Sequence, residues 1–195
     1  MAVPKLVYPR NTSAPTFLSN GTSTRANTTA TGTAPSTPSA TDAIDTSCGQ
    51  SGTPFTLKIG QPGGFFDGWW LAVSGNGLLF SSEPSRAARF SVEATGHLCP
   101  VGFQSRDGYP VISTVENRTG ITGSDVWLLG SKELHDRGHP QYAAVACAVG
   151  TGQLVCVEGE MTRWVACGIQ LGLAEKGAIV AVNGLNCTDV VLTTV

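Results

Sequence analysis

Phe65-Phe-Asp-Gly-Trp-Trp70 sets four aromatic rings and one carboxylate within six residues. A ring offers an apolar platform, and a carboxylate beside it accepts hydrogen bonds, a pairing that suits a sugar. Strand alternation sends Trp69 and Trp70 to opposite faces, one towards a core and the other outward. Asn76, in the following Ser74-Gly-Asn-Gly77 turn, adds an amide that both donates and accepts. Asp67, Trp69, Trp70 and Asn76 are therefore the candidate ligand-binding residues. Polysaccharide or glycan is the candidate ligand.

Other residue constellations point to no reaction. His135-Asp-Arg-Gly-His139 places two imidazoles four apart, but Gly138 and Pro140 break a helix there and the glutamate of a zinc-protease motif is missing. A polar loop is expected, with no metal. Nucleophilic catalysis needs an activated Ser or Cys with a base in reach. The chain has three histidines and no Gly-x-Ser-x-Gly turn, and His97 reads as structural. Glu158 and Glu160 could line one face of a strand as paired acids, with Arg163 behind them, yet Glu158-Gly-Glu-Met-Thr reads as a polar hairpin tip. Gly60-Gln-Pro-Gly-Gly64 lacks the Gly-Lys-Ser/Thr ending of a phosphate loop and reads as a turn. No catalytic residue and no cofactor is expected, so the chain is not read as an enzyme.

The elements that position these residues fall after a change of composition near Cys48. From Asn11 to Ser47 the chain is dominated by Ser and Thr, with Pro15, Pro35 and Pro38 and a single aromatic, Phe17. Such a segment buries too little apolar surface to offset its ordering entropy, so disorder is expected. Ser/Thr with Pro also reads as an O-glycosylated stalk. Residues 1–53 are assigned to that stalk and 54–195 to one folded domain. N-glycosylation sequons begin at Asn11, Asn20, Asn27, Asn117 and Asn186, of which Asn117 and Asn186 fall in the domain. Met1–Arg10 carries two prolines and two charges in place of an apolar signal core. That leaves a start further upstream, a fragment, or a chain that is not exported. No stretch is long and apolar enough for a transmembrane helix, and no hydrophobic anchor tail follows.

The six cysteines, Cys48, Cys99, Cys147, Cys156, Cys167 and Cys187, include no Cys-x-x-Cys pair and no zinc-finger spacing to His. Disulfides are expected, and with them an extracellular or cell-wall location. The expected pairs are Cys156–Cys167 across a local turn, with Cys48–Cys99 and Cys147–Cys187 closing longer loops. A net charge of −2 with 13% charged residues leaves no basic stripe for nucleic acid and no surface attraction to anionic membranes. A monomer is expected.

From Phe55 onward short strand-like runs recur between Gly and Asn punctuation, the first alternating apolar and polar: Phe55–Ile59, Trp70–Val73, Leu78–Phe80, Phe90–Val92, Pro110–Val115, Val126–Leu129, Tyr142–Cys147, Leu154–Val157, Trp164–Cys167, Ile169–Leu171, Ala178–Val182 and Val190–Val195. Only Pro84–Arg89 and Ser131–Asp136 have helical character, enough for a turn or two. The fold class is all-β. An internal echo aligns Phe90-Ser-Val-Glu-Ala-Thr-Gly-His-Leu-Cys99 with Val145-Ala-Cys-Ala-Val-Gly-Thr-Gly-Gln-Leu-Val-Cys156. It divides the domain into units of roughly 54–95, 96–151 and 152–195, as in a repeat array.

On these positions the segment from Pro54 to Val195 resembles a β-trefoil, three four-stranded units about a pseudo-threefold axis. It also resembles a domain of unknown function in secreted and cell-wall proteins of filamentous fungi, where it is joined to Ser/Thr-rich stretches. The residues that carry this are Phe55-x-Leu, Gly68-Trp-Trp-Leu, Ala88-Arg-Phe-Ser-Val, Gly96-His-Leu, Gly152-Gln-Leu-x-Cys156 and Gly184-Leu-Asn-Cys187 before Val191-x-Leu. The trefoil resemblance implies a lectin-like architecture, although the Gln-x-Trp signature of ricin-type lectins is missing from all three units. It also implies alternatives: a trefoil-type proteinase inhibitor, with loops near Arg106 or Arg163 as reactive segments, or a purely structural wall protein.

Overall fold

In the computed structural model the described residues are Ile44, 46–116, 120–138, 141–178, 180–182 and 185–195. The Ser/Thr-rich stretch up to residue 43, Asn117 and His139 lie outside them. The described chain is all-β and wraps into a nearly closed, barrel-like sheet.

The first strands are β1 (Phe55–Gly60), β2 (Trp70–Ser74), β3 (Gly77–Ser81), β4 (Arg89–Val92) and β5 (Leu98–Pro100). Next come β6 (Val111–Glu116), β7 (Gly123–Asp125), β8 (Trp127–Gly130), β9 (Tyr142–Ala144), β10 (Ala146–Gly150) and β11 (Gln153–Val157). The last are β12 (Met161–Cys167), β13 (Gln170–Glu175), β14 (Ala181–Val182), β15 (Leu185–Asp189) and β16 (Val191–Thr194). Both expected helical stretches are short: a 3₁₀ turn at Pro84–Arg86, and a helical turn at Ser131–Glu133 that widens into a π turn over Leu134–Gly138.

A ring of antiparallel pairings runs β1–β4–β5, then β10–β11–β16 and back to β1. The link between β5 and β10 is thin: a bridge from His97 to Ala146 and a hydrogen bond from the Cys147 N–H to the Gly96 carbonyl at 2.7 Å. The two echoed segments form hairpins of the same kind, β4–β5 and β10–β11. Each turns through a glycine with positive φ, Gly96 at 83° and Gly152 at 77°. Three further hairpins, β2–β3, β6–β8 and β12–β13, meet one another pairwise. The contacts are Gly77 with Trp127, Leu79 with Gln170, and, through β7, Asp125 with Gly172.

Alternation fills the interior. Leu57 and Ile59 of β1, Leu71, Leu78 and Phe80 of the first hairpin, Phe90, Leu98, Leu154, Trp164, Leu171, Leu173 and Leu192 pack as one apolar cluster. Trp164 satisfies its indole N–H on the Leu154 carbonyl at 3.0 Å, as a buried tryptophan requires. The expected runs leave out the short strands β5 and β7 and the longer β15. The Leu-Asn-Cys-Thr-Asp stretch of β15 is exposed along most of its length, so it shows no alternation to read.

Residues 46–53, grouped with the stalk by composition, are fastened to the barrel. Cys48 is bonded to Cys99. The Glu93 carboxylate, 3% exposed, accepts from the N–H groups of Gly49, Ser51 and Gly52 at 3.0–3.2 Å, and from the hydroxyls of Ser51 and Ser91.

All six cysteines are bridged: Cys48–Cys99, Cys147–Cys156 and Cys167–Cys187. The first pair is the expected one. The pairs Cys156–Cys167 and Cys147–Cys187 are not formed. Register explains why: Cys147 faces Cys156 across β10–β11 and Cys167 faces Cys187 across β12–β15, with Cα atoms 4.0 and 4.3 Å apart.

Candidate functional site

The aromatic run forms a tight lip between β1 and β2. Gly64 donates to the Gln61 carbonyl at 2.6 Å, Trp69 to Phe66 at 3.0 Å, and Gly68 to Ile59 at 2.8 Å. Gly63 and Gly68 take positive φ, 73° and 77°, which only glycine adopts without cost. Gln61 ties the lip together: its N–H donates to Asp67 Oδ1 at 2.8 Å, its Oε1 accepts from Phe66, and its Nε2 donates to Thr188 Oγ1 of β15 at 2.8 Å.

Within the lip, Phe66 and Trp69 face inward. They pack on the core cluster and on each other edge to face at 5.3 Å, with Phe66 also 5.0 Å from Phe80. Phe65 stands on top, 76% exposed, its ring 5.1 Å from Phe66 and 5.2 Å from Trp69. Trp70 faces away from this stack, with Lys58 Nζ 4.9 Å above its ring. The four candidate residues therefore divide. Asp67, Trp69 and Trp70 share the lip, while Asn76 sits at the far end of the hairpin, beyond Ser74 and its partner Gly77. At the rise of a strand that is roughly 15 Å away.

Asn76 instead borders a polar cleft of about 550 Å³. Its walls are the β2–β3 turn, the loop before β6 carrying Gln104, Arg106 and Asp107, and the helical turn carrying Lys132 and Asp136. Lys132 and Asp136 form an ion pair, and that contact, reinforced by the Asp107 charge, holds the Lys132 ammonium above its ordinary value. Nothing local in the sequence announces this cleft, because its three walls come from segments about thirty residues apart.

The other singled-out residues have structural places. Glu158 and Met161 exchange both backbone hydrogen bonds at 3.0 Å, so Glu160 lies in the tip of a tight turn. Arg163 follows that turn closely. It lies within β12, and its guanidinium donates to the carbonyls of Glu175 and Ala178 and pairs with Asp189. Such a fork buttresses a corner. Arg106, by contrast, is exposed in a turn closed by Ser105 and Gly108. His135 is exposed on the π turn. Among the described residues no three His, Cys, Asp or Glu side chains gather as a metal-holding group. Asn186, in its sequon, is exposed on β15.

Burial alone would push the Glu93 carboxyl up, but hydrogen bonds from Ser51, Ser91 and the Gly49 N–H outweigh it and hold the group below the ordinary glutamate range. No protein-family model matches this chain, and no curated protein matches it either.

Proposed function

We propose that the protein is a non-catalytic extracellular or cell-wall barrel, of trefoil type, that binds wall polysaccharide or glycan through its aromatic lip. Three cross-links within one described domain are compatible with an oxidising, extracellular location. The pairwise meeting of three hairpins over a six-strand ring supports the trefoil reading, as does the likeness to fungal wall domains carrying Ser/Thr-rich stretches.

The observation that carries the binding reading is Phe65. A ring exposed to 76% is held by its neighbours Phe66 and Trp69, two residues from the exposed Asp67, whose Oδ1 accepts from the Gln61 N–H. An aromatic platform next to an acceptor matches the apolar face and hydroxyl rim of a pyranose. Phe65→Ala is the informative change, because Trp69 supports the core and its loss would also unfold the lip. Retention on insoluble chitin and β-glucan is expected to fall about tenfold, the scale of losing one aromatic anchor, with the thermal midpoint unchanged. Undiminished retention would defeat the site assignment.

A second reading, a proteinase inhibitor, is favoured by the exposed Arg106 turn alone. Screening the full chain against serine and cysteine proteases distinguishes the two.

A further inference from the structure

We infer that the polar cleft between the β2–β3 turn, the Phe103–Gly108 loop and the helical turn after β8 is a second binding site, built for an uncharged pyranose unit. It extends the glycan reading to a different part of the surface and uses no residue of the aromatic lip.

The cleft is preformed. The Leu128 N–H donates to the Asn76 carbonyl at 2.8 Å, which clamps the β2–β3 turn to β8. The Ser131 N–H donates to the Pro110 carbonyl at 2.8 Å, which fixes the start of the helical turn to the end of the loop. Within the loop, Ser105 and Tyr109 are joined at 2.8 Å, and Ser105 accepts from Gly108 at 3.0 Å. A ligand meeting such walls loses little affinity to ordering them.

The lining selects a chemical class. Val73, Val111 and Leu128 supply an apolar floor, and Phe103, 39% exposed, presents a ring at the mouth. Around them stand two amides, Asn76 and Gln104, two cations, Arg106 and Lys132, and three carboxylates, Asp107, Glu133 and Asp136. Cations minus carboxylates give a net charge of −1, so phosphate or sulfate meets a repelling wall. A wholly apolar ligand would strip water from five charged groups, which is costly. A sugar hydroxyl both donates and accepts. It can therefore satisfy amides, carboxylates and cations in one ring of contacts, while the C–H face of the pyranose lies on Phe103. A volume of about 550 Å³ falls in the range of small-molecule sites.

The test is an amide chemical-shift titration of the full chain with neutral saccharides (cellobiose and chitobiose), with inorganic phosphate as the control. Saccharide is expected to shift amides of 73–76, 103–108 and 130–136. The double change Asn76→Ala, Asp107→Ala should weaken those shifts about tenfold, the scale of one or two lost hydrogen bonds, and Phe65→Ala should leave them intact. Both altered side chains of the double variant are exposed in turns, and thermal unfolding checks that it folds. Shifts confined to 61–70 would overturn the cleft while sparing the lip. Cleft shifts that persist in Phe65→Ala while its polysaccharide retention is undiminished would sink the lip reading and support the cleft. A stronger response to phosphate than to saccharide would overturn the ligand class.

Discussion

Glu93 shows what one side chain does in this protein. It is an ionised group in the interior, and removing a buried carboxylate from water is tolerated only when donors replace the water. Here five donors do so, and four of them belong to residues 49–52, outside the strands. The carboxylate therefore pins the entering chain to β4. Glu93→Gln turns an NH₂ group towards those donors and is expected to cost about 2–3 kcal/mol in urea unfolding at pH 7. The sign of the pH dependence follows from the direction of the shift. The folded-state value lies below the unfolded one. The contribution is thus complete above the unfolded-state value and disappears as pH falls through the folded one. The gap between wild type and Glu93→Gln should close in that window. Parallel stability curves from pH 7 to pH 3 would mean that the charge does not hold the segment.

At the level of elements, the meeting of the hairpins depends on close backbone approach. A Cβ on Gly172 of β13 would lie 3.0 Å from the Ser124 carbonyl oxygen of β7 and 3.1 Å from Val165 Cγ2, and neither buried neighbour has room to retreat. Gly172→Ala is expected to destabilise by on the order of 1–3 kcal/mol, as overpacking does. Gly150→Ala, whose Cβ meets nothing within 4 Å, should be near neutral, and equal midpoints for the two variants would refute the close-packing argument. Elements of this kind were legible as strands because Leu57 and Ile59 alternate with Thr56 and Lys58, and because short apolar runs such as Trp70–Val73 and Leu78–Phe80 flank turns marked by Gly or Asn. Their partners were less legible, since pairing is set by closure of the sheet. The Cys147–Cys156 bridge does have a local signal that the expected Cys156–Cys167 pairing passes over: both cysteines are equidistant from Thr151-Gly152, the turn of their hairpin. For Cys167–Cys187 no such symmetry exists, because β15 carries no alternation and its register is known only from the folded sheet. The lip was visible because its rings are neighbours in sequence. The cleft was not, because Asn76, Arg106 and Lys132 become neighbours only after β3, β6 and β8 have paired.

For the whole molecule, the three bridges act on different lengths of unfolded chain. Cys48–Cys99 spans 51 residues, Cys167–Cys187 spans 20 and Cys147–Cys156 only 9. If each acts by restricting the unfolded ensemble, the loop-closure relation assigns about 4, about 3 and about 2.5 kcal/mol in that order. Strand geometry argues the same way. The two shorter bridges join residues that the sheet already places opposite one another, while Cys48 lies outside the strands and is held to β5 mainly by its bond and by the Glu93 clamp. Paired Cys→Ala variants, compared by guanidinium unfolding, should therefore rank with the Cys48/Cys99 variant least stable. Loss of that bridge should also deepen the acid sensitivity described for Glu93, because the charge then remains as the principal fastening of residues 46–53. A ranking led by the Cys147/Cys156 variant would show that the bridges work through native contacts instead. An unchanged acid profile in the Cys48/Cys99 variant would show that the disulfide and the carboxylate hold that segment independently.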